Sequence, residues 1–343
     1  MSDPQDETWD FDWGTVRGEV SALGAMLGPV WFRQSDGTEV QPFAIGDWAG
    51  DPAAQRETLP PILRRLRGEW PCVPFGVPET RTDLPDRWMA GIDADATVAD
   101  SFIHGYSSNH LWHLSARTDR SLTLSIDYPD GHPVRSLERG IALDESGGLD
   151  ISLRIAARRD ADLPIGVHPV LRLPDRTGAA HLSIPSLRRV HSFPVAVEPG
   201  VSILTPDRSY ASLTGLQTHD GAPLDASRLP LPRRTVELLL VELDTGAVSL
   251  RNADEGYETR ISWDIASFPF CLLWIENGGR AAYPWQGRFS AIGIEPIAGA
   301  FDLGQVHSTN PRGPLSGSSR ALTARLRAGE TWETRYRIAT SAI

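Results

Sequence analysis

The chain has 343 residues, 41% hydrophobic and 22% charged, a globular composition long enough to bury a large core. Its 33 basic and 44 acidic residues give a net charge of −11, which argues against nucleic acid and anionic membrane as partners. All 33 basic residues are arginine, so Schiff-base chemistry, pyridoxal-phosphate attachment and a Walker-type phosphate loop, each of which needs a lysine, are excluded.

From its start to Asp12 the chain is acidic and polar, unlike a secretory signal peptide, and residues 1–12 are expected to be mobile. Residues 13–343 read as a single domain, because the polar turn Ala157–Asp162 is too short for a linker. Thr58–Arg67 is the one helical candidate, with Pro60 and Pro61 near its start and Gly68 after its end. Short segments of period-two alternation follow: Ser121–Ile126, Ile151–Ile155, Val248–Leu250, Glu258–Trp263, Phe270–Ile275, Phe289–Glu295 and Trp332–Ile338. Frequent glycines and prolines, 31 and 27, separate them. The pattern predicts an all-β fold, a large antiparallel β-sandwich with one or two short helices. No stretch approaches about 18 uninterrupted apolar residues, so no transmembrane helix is expected. Two cysteines, Cys72 and Cys271, are too few for a disulfide framework, and a cytoplasmic location is the expectation. Neither G-x-G-x-x-G nor G-x-S-x-G occurs, so no dinucleotide fold or hydrolase elbow is supported.

Four segments can carry chemistry or ligand contacts. In FSAIGIEP, alternation puts Phe289, Ala291, Gly293 and Glu295 on one face, and Ser290, Ile292 and Ile294 on the other. Small neighbours leave space before the Glu295 carboxylate; the alternative is a strand-end salt bridge. In LPIGVHP, His168 shares a face with Pro164 and Gly166, opposite Ile165 and Val167. It reads either as half of an acid/base pair with Glu295 or as a hydrogen-bonded core histidine. His104 precedes Gly105 in FIHGYSSNHLW, where the His110 and His113 spacing lacks a third partner, so no metal site is assigned. Tryptophan is frequent, 11 residues, and Trp285 lies in the proline–glycine turn AYPWQG, where an indole can stack on a sugar face.

GEWPCVPFG at 68–76, HGY at 104–106, LPIGVHPVLRLP at 163–174 and WIENGGRAAYPWQGRFSAIGIEP at 274–296, with a looser echo in GGLDISLRIA at 147–156, resemble the aldose 1-epimerase (galactose mutarotase-like) family in this order. The resemblance spans about residues 20–340. It implies a β-sandwich that binds a monosaccharide in a groove of one sheet and interconverts its α and β anomers. It implies Glu295 as catalytic base, His168 as catalytic acid and His104 as a contact near the ring oxygen, with no cofactor or metal. Two departures stand out. Familiar members carry an Asn-Arg pair after the first proline-phenylalanine motif; here Val77 follows VPFG, and Arg67 is the nearest substitute. They also carry a sugar-binding aspartate where this chain reads RRTVELLLVELD, with Glu237 nearest. These departures imply a different set of hydroxyls read. The rival readings are a hexose-phosphate epimerase, with Arg64, Arg65 and Arg67 meeting the phosphate, and a non-catalytic sugar sensor on the same fold. A related lyase or other carbohydrate-active enzyme is a third. The protein is expected to be a monomer or homodimer.

Overall fold

The computed structural model describes residues 4–93 and 95–343. Among these residues two large antiparallel sheets carry the architecture. One has eight strands: Ser209–Tyr210, Leu187–Ser192, Val236–Leu243, Phe270–Asn277, Ser290–Ala298, Ile165–Val167 and Pro71–Cys72 in spatial order, with Val170–Arg172 also paired to Ser290–Ala298. The other has nine: Arg228–Leu229, Ala180–Ser183, Ala247–Asn252, Tyr257–Trp263, Thr331–Ala342, Leu149–Ala157, Val134–Leu143, Ser121–Asp127 and His113–Thr118. Every alternating segment read from the sequence falls in these strands, apart from Phe289, which just precedes its strand.

Alternation explains how the sheets meet. Leu122, Leu124 and Ile126 of one strand and Leu153 and Ile155 of another pack in the same buried cluster as Leu239, Leu273, Ile292 and Ile294 of the eight-stranded sheet. That shared cluster is the interior of a sandwich. The eight-stranded sheet is apolar on its outer face too, where Leu238, Leu240, Leu272, Trp274 and Ala291 join a second cluster with Trp48, Ile62, Trp70 and Phe301 from the loops and short helices that cover it. This doubly covered face holds the candidate site.

A buried polar group joins the layers. Glu69, just before the edge strand Pro71–Cys72, and Arg139, on the nine-stranded sheet, are both fully buried. Arg139 donates to the Glu69 carboxylate and, at 2.8 Å, to Ala25 O, while the Tyr336 hydroxyl donates to Glu69 Oε1 at 2.6 Å. The carboxylate is satisfied from two sides, as a charge in this interior must be.

Two local expectations are corrected. The mobile segment expected over residues 1–12 lies partly, at residues 1–3, outside the described residues; Thr8–Asp12 is a strand paired with Val16–Ser21, because Phe11 is buried and stacks on Trp13 at 4.3 Å. The helix expected over Thr58–Arg67 shrinks to Pro61–Arg64. The Trp48 indole donates to Leu63 O and the Gly46 N–H to Leu66 O, so carbonyls a longer helix would use internally are already engaged. Among the described residues there are five α-helices, each of four or five residues, where the sequence suggested one or two. No helix among them is long and apolar enough to cross a membrane.

Candidate active site

A pocket of about 340 Å³ opens on the outer face of the eight-stranded sheet. Glu295, His168, His104 and Trp285, named from separate sequence segments, all line it. Three features of the chain bring them together.

The strand Ser290–Ala298 pairs with Phe270–Asn277 and carries Glu295 opposite Leu272, so its carboxylate rises from the sheet floor. Gly293 lies two residues earlier on the same face, and a Cβ built there would sit 2.4 Å from Glu295 Oε1. Glycine at this position therefore gives the carboxylate the space it occupies. His168 follows the short strand Ile165–Val167, with its N–H bonded to Trp70 O at 2.9 Å and its ring stacked on the Trp70 indole at 4.2 Å. His104 caps the helix Gly105–Asn109 with φ 56°, a left-handed turn that aims its ring inward. Its Nδ1 accepts the Gly76 N–H at 3.3 Å, which leaves the proton of the neutral ring on Nε2.

His168 Nε2 lies 3.4 Å from Glu295 Oε1, and the His104 ring is edge-on to the His168 ring at 5.1 Å. Both oxygens of Glu295 and Nδ1 of His168 are buried and accept or donate no hydrogen bond among the described residues. Buried polar atoms without partners are uncommon and costly, so these three leave hydrogen-bonding capacity unused inside the pocket. Burial pushes the Glu295 carboxyl well above its usual range, with the nearby Asp302 adding to the shift. Burial and the neighbouring His104 push His168 well below the usual histidine value, and burial alone takes His104 down to about 4.

The two other substrate candidates do not line the pocket. Arg67 ion-pairs with Glu19 and donates to Gly28 O at 3.3 Å. Glu237 points away from the pocket and accepts from the Thr235 hydroxyl and from the Ile203 and Leu204 N–H groups at 2.6 and 3.3 Å. Arg64 and Arg65 line a separate hollow with Gln5 and Asp6. His110 stacks on Tyr106 at 3.6 Å, His113 is exposed, and no cluster of three or more metal-type ligands occurs among the described residues.

Sequence reading missed the apolar walls of the pocket and four of its aromatic and charged residues: Trp70, Trp274, Arg280 and Asp302. Trp70 and Trp274 belong to the motifs already quoted, and Trp274 falls in period-two step with Leu272. Arg280 follows the Gly278–Gly279 turn; its guanidinium sits over Trp285 at 5.1 Å and pairs with Glu276 at 2.9 Å and Glu198 at 3.5 Å. No local signal distinguished Asp302.

No protein-family model and no curated sequence matches the chain. Solved structures do. A protein from Escherichia coli K12, described as a candidate aldose 1-epimerase, superposes with a TM-score of 0.65 at 16% identity, covering 98% of this chain and 99% of that one. An aldose epimerase homologue from Caenorhabditis elegans gives 0.64 at 12% identity, covering 98% and 99%. A galactose mutarotase-like protein from Lactobacillus casei gives 0.63 at 14% identity, covering 97% and 100%. At these identities the likeness is one of architecture, and over nearly its full length the chain has the fold of the aldose 1-epimerase, galactose mutarotase-like proteins.

Proposed function

We propose that this protein is a cofactor-independent sugar isomerase of the aldose 1-epimerase type, interconverting the α and β anomers of a monosaccharide. The observation that carries the reading is the Glu295–His168 pair, 3.4 Å apart in a pocket, with both carboxylate oxygens lacking protein donors. The hydroxyls of a sugar supply those donors.

The chemistry follows from where one proton resides. Glu295 as carboxylate takes the proton of the anomeric hydroxyl. The bond between the anomeric carbon and the ring oxygen breaks, and protonated His168 gives its proton to that oxygen. The open-chain aldehyde rotates about its bond to the next carbon. The hydroxyl then attacks the other carbonyl face, and both protons return. Ring opening thus turns an ion pair into a neutral pair. Burial favours the neutral pair, so the first step runs towards the form the pocket stabilises. Hydrogen bonds from the bound sugar to Glu295 stabilise the ion pair at the start. His104 would donate its Nε2 proton towards the ring oxygen, and Trp285 would flank the sugar.

The experiment is exchange NMR or polarimetry on freshly dissolved single anomers of a panel of aldoses. Catalysed equilibration above the spontaneous rate supports the isomerase. Saturable sugar binding without catalysed exchange supports the sensor. The hexose-phosphate reading loses its main support, since Arg64, Arg65 and Arg67 do not line the pocket and Arg280, its cationic lining residue, is already paired twice.

A further inference from the structure

The two ends of the pocket differ in chemistry. Glu295, His168 and His104 gather at one end, with Asp302 close enough to Glu295 to shift it. The register of the sheet defines the other. Trp274 pairs with Leu238 of the strand Val236–Leu243, two strands from the strand of Glu295, a separation of about 10 Å at about 4.8 Å per strand. Leu238 faces the pocket, whereas its neighbour Glu237, the carboxylate of that strand segment, is turned to the opposite side and fully engaged there. Val197 lies over the start of this strand, because the Glu198 N–H bonds the Ser202 hydroxyl, which bonds Val236 O. Leu63 comes in from the Trp285 side, held through the Trp48 indole that packs on Trp285 at 4.8 Å.

The polar lining residue of this end is Arg280. Its charge is met by Glu276 and Glu198, and its face lies over Trp285. A sugar hydroxyl buried against Leu238, Val197 and Leu63 would lose its water and find no acceptor among them, meeting only the guanidinium of Arg280, which already donates to Glu276. A methyl or methylene group there would be favoured.

We propose that the pocket selects an aldose whose edge remote from the anomeric carbon is deoxygenated or alkyl-substituted, a 6-deoxyhexose being the simplest member of the class. The proposal rests on the isomerase reading for the position of the anomeric carbon, at the Glu295 end.

The test uses two matched pairs of probes: D-galactose with 6-deoxy-D-galactose, and D-glucose with 6-deoxy-D-glucose. Anomer exchange is read by NMR and binding by the fluorescence of the pocket tryptophans. The expected result is a kcat/KM advantage of about 10-fold to about 10²-fold for the deoxy member of at least one pair, the range an apolar pocket gives against an added hydroxyl. Equal rates, or a preference for the hydroxylated sugars, would overturn the proposal and leave the isomerase reading intact. If no sugar exchanges but the deoxy sugars bind more tightly, the pocket assignment stands and the isomerase reading fails. If nothing exchanges and binding shows no preference, both fail. Leu63 is half-buried at the rim of the second cluster, so Leu63→Ser is expected to keep the fold, checked by circular dichroism, and to narrow the deoxy preference several-fold. An unchanged preference in that variant would remove this wall from the specificity.

Discussion

Gly293 and Glu295 stand two residues apart on one face of the same strand, and a Cβ on the first would come within 2.4 Å of the carboxylate of the second. The glycine does more than leave room for a ligand. It determines where the carboxylate lies, and so whether it faces His168 at 3.4 Å.

Gly293→Ala is therefore expected to displace the carboxylate and to lower anomerisation at least tenfold, because small misplacements of catalytic groups are expensive. Far-ultraviolet circular dichroism should be unchanged, since alanine is tolerated in a strand. An unaltered rate would show that the carboxylate has room to move without consequence.

Glu295→Gln keeps the size of the side chain and removes the proton acceptor. Anomerisation should fall by roughly 10²–10⁴-fold, the usual contribution of a general base, while sugar binding changes far less. His168→Gln should act similarly, and the double variant should lose little more, because in the proposed mechanism both groups serve one step. Saturation kinetics with a calorimetric titration separates rate from binding, and wild-type rates in Glu295→Gln would remove the glutamate from the chemistry.

The pH dependence of stability is set partly by histidines buried in neutral form. His132 is held down to about 4, chiefly by burial, and His104 likewise. The unfolded chain binds protons at these groups near the ordinary value of 6.5, so it gains protons before the folded chain does. Stability should thus fall as pH drops from about 6.5 towards about 4 and be insensitive to these groups above that window. Urea unfolding at three pH values checks the slope. His132→Asn, outside the pocket, should flatten it; an unchanged slope would assign the acid sensitivity elsewhere.

Arg139→Leu would leave the Glu69 carboxylate in the interior with only Tyr336 as donor. A loss of about 3–5 kcal/mol is expected for breaking a buried pair on one side. Replacing both partners by apolar residues should recover much of it. Denaturant midpoints of the single and double variants decide this, and a single-variant loss below about 1 kcal/mol would contradict the role given to the pair.

The sequence by itself determined the strands, the sandwich and the two glycine-backed polar groups, because period-two alternation records which side chains share a face. It also determined that Glu295, His168, His104 and Trp285 belong to segments of one resemblance. Only the tertiary structure decided the rest of the pocket. In VELLLVEL both faces are apolar, since both are covered, so alternation cannot say that Leu238 faces the pocket and Glu237 the far side. Arg67 adjoins the motif GEWPCVPFG, yet the Glu19 carboxylate of a distant strand holds it away. Thr8–Asp12 is polar by count, yet one phenylalanine anchors it as a strand. Arg280 and Asp302 reach the pocket through loop closure, and their contacts span separations that no local pattern encodes.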